Sequence, residues 1–147
     1  MADQARAGGR IVVGVDGSPP SVAALRWALG QAELTGAVVE AINVWEPPTV
    51  WGDVVPVYPG DDPAGTAREN LDAIVEEVAS EYAAVEVRRE VVQGHPAKGL
   101  LRHAEGATLL VVGSRGHGGF VGALLGSVSQ HCIQHATCPV VVIRAPK

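Results

Sequence analysis

Five short apolar runs alternate with segments of helical periodicity, and this alternation limits the fold more than any other feature of the sequence. We predict strands at residues 10–16, 37–45, 85–92, 108–113 and 139–144. Strands that alternate with helices form a parallel sheet with helices on both faces, because right-handed crossovers lay each helix over the sheet. The order βαβαβαβαβ therefore predicts an α/β protein with one five-stranded parallel sheet.

Capping signals mark the ends of the predicted helices. Ser18 and Asp62 are N-cap residues, and Pro19 and Pro63 follow them at the first helical positions. Gly36 ends the first helix, since glycine accepts the left-handed conformation at a helix C-terminus. Further helices are predicted from Pro96 and over about 127–136.

The chain length, the composition and the cysteine count favour one domain in a reducing compartment. A chain of 147 residues, 47% hydrophobic, can bury a core without staples, and we predict a loose tail at 1–9 followed by one domain over 10–147. The N-terminus lacks the apolar core of a secretory signal, and no apolar run reaches the roughly 20 residues of a membrane span. Cys132 and Cys138 fit buried, reduced thiols. We expect a cytoplasmic protein without membrane contact.

Charge is unevenly distributed along the chain. The net charge is −5, but residues 1–92 carry six Lys/Arg and fifteen Asp/Glu, while residues 93–147 carry five Lys/Arg and one Asp/Glu. The acidic total argues against nucleic-acid binding. The basic C-terminal third suits a small anionic ligand.

The stretch GSRGHGGFVGALLGSVSQ, residues 113–130, places six glycines between a predicted strand and the last helix. Glycines allow backbone N–H groups to converge on an anion, and the N-terminus of a helix adds free N–H groups and a positive dipole end. Serine hydroxyls and Arg115 would add donors and charge. We interpret the stretch as a phosphate-binding loop, although ordinary capping of the helix remains an alternative.

Two common nucleotide motifs are missing. The chain has no Gly-Lys-Ser/Thr of a Walker A loop, and no G-x-G-x-x-G follows the first strand. These absences weaken the interpretations as a P-loop hydrolase or an NAD enzyme.

The chain resembles the universal stress protein family over residues 10–144. The resemblance lies in the spacing G-x2-G-x9-G-Ser of GSRGHGGFVGALLGS, in VVGVDGS near the start and in HCIQHATCPVVVIR near the end. It implies a Rossmann-like fold of the adenine nucleotide alpha hydrolase type with strand order 3-2-1-4-5. It also implies ATP binding and a homodimer that pairs through the last strand, 139–144. We expect a bound Mg²⁺ to bridge the phosphates, as is common at metal–nucleotide sites.

The resemblance also implies which residues bind ATP. Gly14 and Asp16 would flank the adenosine, and the Val44 backbone would meet the adenine. The ribose and phosphates would be held by Gly113, Arg115, Gly116, His117 and Gly118, and the outer phosphates by Gly126, Ser127, Val128 and Ser129. Without the resemblance, Asp16 is more simply a turn or capping residue.

Function stays open between several classes. The leading hypothesis is a nucleotide-responsive dimeric stress regulator that binds ATP without fast turnover, since no evident general base or catalytic residue pairs with the loop. One alternative is a slow ATP hydrolase or phosphotransferase that uses Asp16 or His117, or that phosphorylates itself, since Ser127 and Ser129 would lie close to the phosphates. Another is a partner-binding module with a vestigial nucleotide site. A receiver-like module with Asp16 as phosphoacceptor is disfavoured, because Asp16 has no acidic neighbour.

One pair of residues suggests a metal site. His131 and His135 lie at i and i+4 on the predicted last helix, a spacing that can bind a metal. The His-Glu-x-x-His pattern is missing, and we interpret both as exposed histidines that bind no metal.

Overall fold

The computed structural model describes residues 8–47, 49–50, 53–54, 60–115 and 125–145. The strands are β1 (Arg10–Gly14), β2 (Val38–Trp45), β3 (Thr49–Val50), β4 (Asp53–Val54), β5 (Val87–Gln93), β6 (Leu109–Gly113) and β7 (Val140–Ile143). The helices are α1 (Pro19–Thr35), α2 (Pro63–Ala79), α3 (Pro96–His103) and α4 (Ser127–His135).

Five strands form one parallel sheet in the order β5-β2-β1-β6-β7. This is the predicted order 3-2-1-4-5 of the main strands, and the predicted fold class is confirmed. The order reverses between β1 and β6, so a crevice opens at the carboxyl ends of these neighbours. The short β3 and β4 pair antiparallel within the long loop 46–63, where no strand was predicted.

The core has two layers, one on each face of the sheet. Ile11 and Val13 of β1 pack with α1 and α2 on one face, and Val12 packs with α3 and α4 on the other. Consecutive side chains of β1 thus pack into opposite core layers, because side chains alternate between the two faces of a strand. Because the two layers bury Ile11, Val12 and Val13, the centre of β1 is a firm base for the loop that follows it.

The predicted caps hold the helices where the sequence placed them. Ser18 accepts a hydrogen bond from the Ser21 N–H, and Asp62 accepts one from the Gly65 N–H at 3.0 Å. Gly36 ends α1 with φ 80°, a conformation that favours glycine. Each main strand begins or ends one or two residues from its predicted bounds. Among the described residues, no helix is long and apolar enough to cross a bilayer.

Candidate functional site

A cavity of about 320 Å³ opens at the carboxyl ends of β1, β2 and β6. Nine of the twelve residues predicted to bind nucleotide line it: Gly14, Asp16, Val44, Gly113, Arg115, Gly126, Ser127, Val128 and Ser129. The other three, Gly116, His117 and Gly118, lie outside the described residues. The structure therefore brings residues from three separate parts of the chain to one crevice.

The N-terminus of α4 forms one wall of this cavity. Its N-cap is Gly126, with φ −77° and ψ 167°, and no side chain of the described residues caps the helix. The Gly126 N–H donates to the Ser114 carbonyl at 2.6 Å, which ties the start of α4 to the end of β6. Since the first N–H groups of a helix have no partner within it, this end can receive an anion.

The two serines at the start of α4 differ in their surroundings. Ser127 is exposed, whereas Ser129 is buried and its hydroxyl lies within hydrogen-bond distance of the Ser114 and Gly126 carbonyls, at 3.1 and 3.0 Å. The Ser129 hydroxyl therefore donates its hydrogen bond to a backbone carbonyl of the protein. Ser127 is the better placed of the two to donate a hydroxyl to a ligand.

The N-terminus of α1 forms the opposite wall and is closed. The Asp16 carboxylate accepts hydrogen bonds from the Ser18 N–H at 2.9 Å and from the Ser18 hydroxyl at 2.5 Å. The Ser21 hydroxyl oxygen accepts a hydrogen bond from the Asp16 N–H at 3.2 Å. Pro19 and Pro20 supply no N–H groups to this end of the helix. Asp16 therefore acts as a turn residue and also lines the cavity.

The glycines at the strand ends allow close packing rather than an unusual conformation. Neither Gly14 nor Gly113 has a positive φ. A Cβ on Gly113 would lie 2.7 Å from the Pro20 carbonyl carbon, and a Cβ on Gly14 would lie 2.8 Å from Leu100. Gly113 thus lets the start of α1 pass directly over the end of β6.

Apolar residues complete the cavity, and the sequence reading missed most of them. Ile42, Pro96, Leu100 and Val112 line it together with Val44. The described part of the cavity therefore has one apolar side and one side of backbone N–H groups and hydroxyls, with Arg115 exposed at its edge. A ligand with a flat apolar ring and an anionic group matches both sides. The sequence placed Ile42 and Val112 in predicted strands and Leu100 in a predicted helix, and only the tertiary fold shows that they reach the cavity.

The two cysteines lie in the core layer between the sheet and helices α3 and α4. Cys132 of α4 is fully buried, and burial raises the pKa of its thiol to about 11. Burial also raises the pKa of the partly exposed Cys138. Because the thiolate is the reactive form, both thiols are poorly suited to redox chemistry at neutral pH.

Comparisons with known proteins agree with the fold. The model of the universal stress protein family matches residues 9–144. A universal stress protein of Mycolicibacterium smegmatis is 40% identical over 135 residues, which are 91% of this chain and 45% of that protein. The chain spans about half the length of the curated relatives it matches.

Two solved structures share the architecture. A universal stress protein of Archaeoglobus fulgidus in complex with dAMP has a TM-score of 0.67 and 24% identity, covering 91% of this chain and 96% of that one. A universal stress protein in complex with cAMP also has a TM-score of 0.67 and 24% identity, covering 93% and 97%. At this identity, the likeness supports the fold.

Proposed function

This chain belongs to the universal stress protein family, and from that premise we propose that it binds an adenine nucleotide, ATP, in the cavity at the ends of β1, β2 and β6. The observation that carries the proposal is the uncapped N-terminus of α4, which faces the same cavity as an apolar wall. The two related structures hold dAMP and cAMP, which have the same base.

The arrangement of the cavity suggests how ATP would lie. The adenine would pack against the aliphatic wall near the Val44 backbone, with Gly14 and Asp16 beside the adenosine. Gly113 and Arg115, together with Gly116, His117 and Gly118, would hold the ribose and inner phosphates. The backbone N–H groups of Ser127, Val128 and Ser129 and the Ser127 hydroxyl would receive the outer phosphates, since the Gly126 N–H already donates to Ser114.

A bound Mg²⁺ would depend mainly on the phosphates. Mg²⁺ prefers oxygen ligands and usually keeps several waters. Asp16 is the one carboxylate among the described lining residues, and it already accepts two hydrogen bonds from Ser18. The cavity thus fits a Mg²⁺ bridging phosphate oxygens better than one held by a cluster of protein carboxylates.

We propose that the chain works by binding rather than by rapid turnover. A general base for hydrolysis must reach the attacking water near the terminal phosphate. Asp16 lines the α1 side of the cavity, whereas the outer phosphates would lie at α4. The nucleotide would then act as a signal in a cytoplasmic stress regulator.

A homodimer through β7 is part of the proposal. Both edge strands of the sheet leave backbone groups open, but β5 carries Arg88, Arg89 and Glu90, while β7 reads VVVI. Charged edge strands resist pairing, and an aliphatic edge invites it. We expect Val141→Lys or Val142→Lys to give monomers by light scattering, and dimers that persist in both variants would contradict this interface.

Analysis of the purified protein tests nucleotide binding. The protein is denatured, and the supernatant is separated by anion-exchange chromatography, for the wild type, Gly116→Ala and Ser127→Ala. We expect adenine nucleotide from the wild type and less from both variants, with Ser80→Ala, an exposed serine outside the cavity, as the matched control. No nucleotide from the wild type, followed by no calorimetric binding of Mg-ATP, would refute the proposal and favour a partner-binding module.

A further inference from the structure

We propose that His131 and His135 of α4, with His95 as a third ligand, bind a divalent transition-metal ion of the kind that imidazole prefers, such as Zn²⁺. None of the three lines the nucleotide cavity, and the proposal does not depend on nucleotide binding. We name these three residues the histidine cluster.

The pair on α4 already has a separation suited to a metal. The ring centres of His131 and His135 lie 4.6 Å apart, one helical turn from each other. With Zn–N bonds of about 2.0–2.1 Å in a tetrahedral site, the centres of two ligating imidazoles would lie about 5 Å apart. Small side-chain rotations would therefore let both rings bind one ion.

His95 supplies the third ring from a different element. It is the N-cap of α3, and its ring centre lies 6.1 Å from that of His131. This distance is about 1 Å longer than tetrahedral ligation requires. Accordingly, in the described part of the chain no three His, Cys, Asp or Glu side chains are already arranged to hold a metal. A third ligand thus requires the His95 ring to move.

Movement of the His95 side chain would cost little free energy. Its side chain is exposed, and its Nδ1 accepts from the Lys98 N–H at 3.5 Å, which is at the limit of a hydrogen bond. Ligation through Nε2 requires the proton to sit on Nδ1, so this weak bond would be lost. Such a small loss is easily offset by a metal–nitrogen bond.

The surroundings of the histidine cluster favour a cation that prefers nitrogen ligands. His135 is the last residue of α4, where the helix dipole is negative. The cluster itself offers imidazole nitrogens as ligands. Imidazole suits Zn²⁺, Ni²⁺ and Cu²⁺, whereas carboxylates and carbonyls suit Mg²⁺ and Ca²⁺.

This proposal revises the interpretation from sequence, which treated His131 and His135 as non-ligating. The added observation is the approach of His95, which lies 36 positions before His131 and on another helix cap. His95 directly precedes Pro96, and α4 begins at Ser127, both in the wall of the cavity. A metal in the histidine cluster would therefore tie two parts of that wall together.

Isothermal titration calorimetry with ZnCl₂ tests the site. The chain should be free of tag and nucleotide, in a buffer that does not chelate metals. We expect one Zn²⁺ per chain for the wild type, and a Kd raised by at least about tenfold, or 1.4 kcal/mol, in His131→Ala and in His135→Ala. His95→Ala should weaken binding less than either.

His103→Ala is the matched control, because this α3 histidine contacts Gly99 and Glu90 and lies outside the cluster. Its Kd for Zn²⁺ should equal that of the wild type. His135 is exposed, so its variant should fold even if His131→Ala does not, as circular dichroism would show. The proposal is wrong if the wild type shows no saturable binding, or if His135→Ala binds Zn²⁺ as tightly as His103→Ala.

Discussion

Two helix N-termini face the same cavity, and they are built in opposite ways. At α1, Ser18 caps the helix, Pro19 and Pro20 remove N–H groups, and Asp16 places a carboxylate beside the cap. At α4, the N-cap is Gly126, and no described side chain caps the helix. Both ends have the same dipole, so the difference lies in whether their N–H groups are already used.

This contrast indicates where an anion can bind. The closed end of α1 fixes the turn after β1 and holds Asp16 in place, which stabilises the fold. The open end of α4 leaves its first N–H groups for a ligand. A phosphate should therefore bind at α4, and substitutions at the two ends should affect different properties.

Gly126→Asp should have the largest effect. A carboxylate at the N-cap of α4 would accept the N–H groups that a phosphate needs and would repel the phosphate, since like charges in contact cost several kcal/mol. We expect ATP to bind at least about 100-fold more weakly by calorimetry. The melting temperature should stay the same or rise, because aspartate is a good N-cap.

A charge on another helix start controls for this variant. Ala64→Asp adds one negative charge to the exposed first turn of α2, outside the cavity lining. Its affinity for ATP should match the wild type. Equal losses in Ala64→Asp and Gly126→Asp would mean that net charge, rather than the end of α4, decides binding.

Gly113→Ala should disturb the closed end. The added Cβ would lie 2.7 Å from the Pro20 carbonyl carbon and 2.8 Å from the Ser21 nitrogen, so the start of α1 must shift. We expect the free energy of unfolding to fall by about 1–3 kcal/mol in urea denaturation. Gly30→Ala, where the new Cβ would meet Tyr82 at 4.0 Å, should instead stabilise α1 by about 0.5–1 kcal/mol. Two variants of equal stability would refute the close-packing role of Gly113.

A pair of serine variants should distinguish the roles of the two helix N-termini, with the smallest expected effects. Ser18→Ala removes the cap of α1 and should lower the free energy of unfolding by about 1 kcal/mol. Ser127→Ala leaves stability unchanged and should weaken ATP binding by about threefold to tenfold, the value of one hydrogen bond. Urea denaturation and calorimetry on both proteins check this, and the reverse pattern would contradict the contrast.

The helices and strands were largely readable from the sequence because their signals are local, whereas the strand order came from the family resemblance. Caps at Ser18 and Asp62 and the glycine at Gly36 fix helix ends by interactions within a few residues. Strand bounds were off by a residue or two, since the last paired residue depends on the partner strand. The β3–β4 ribbon has two residues in each strand, too few for any periodic pattern.

The candidate site was less readable, because its members meet only through tertiary packing. Glycine spacing pointed to the start of α4, but Gly113 owes its place to the backbone of α1 passing over it. The Ser129 hydroxyl lies against two carbonyls inside the protein, which no sequence pattern signals. The approach of His95 to His131 likewise joins distant parts of the chain.

Nuclear magnetic resonance of the ¹⁵N-labelled chain, titrated with adenosine and then with Mg-ATP, tests the location of the phosphates most directly. Both ligands should shift amides around the apolar wall. The added phosphates should shift the amides of Ser127, Val128 and Ser129 much more than those of Ser18 and Ser21. Equal shifts at both helix starts, or no added shift at α4, would contradict the proposal that the open end of α4 is the phosphate site.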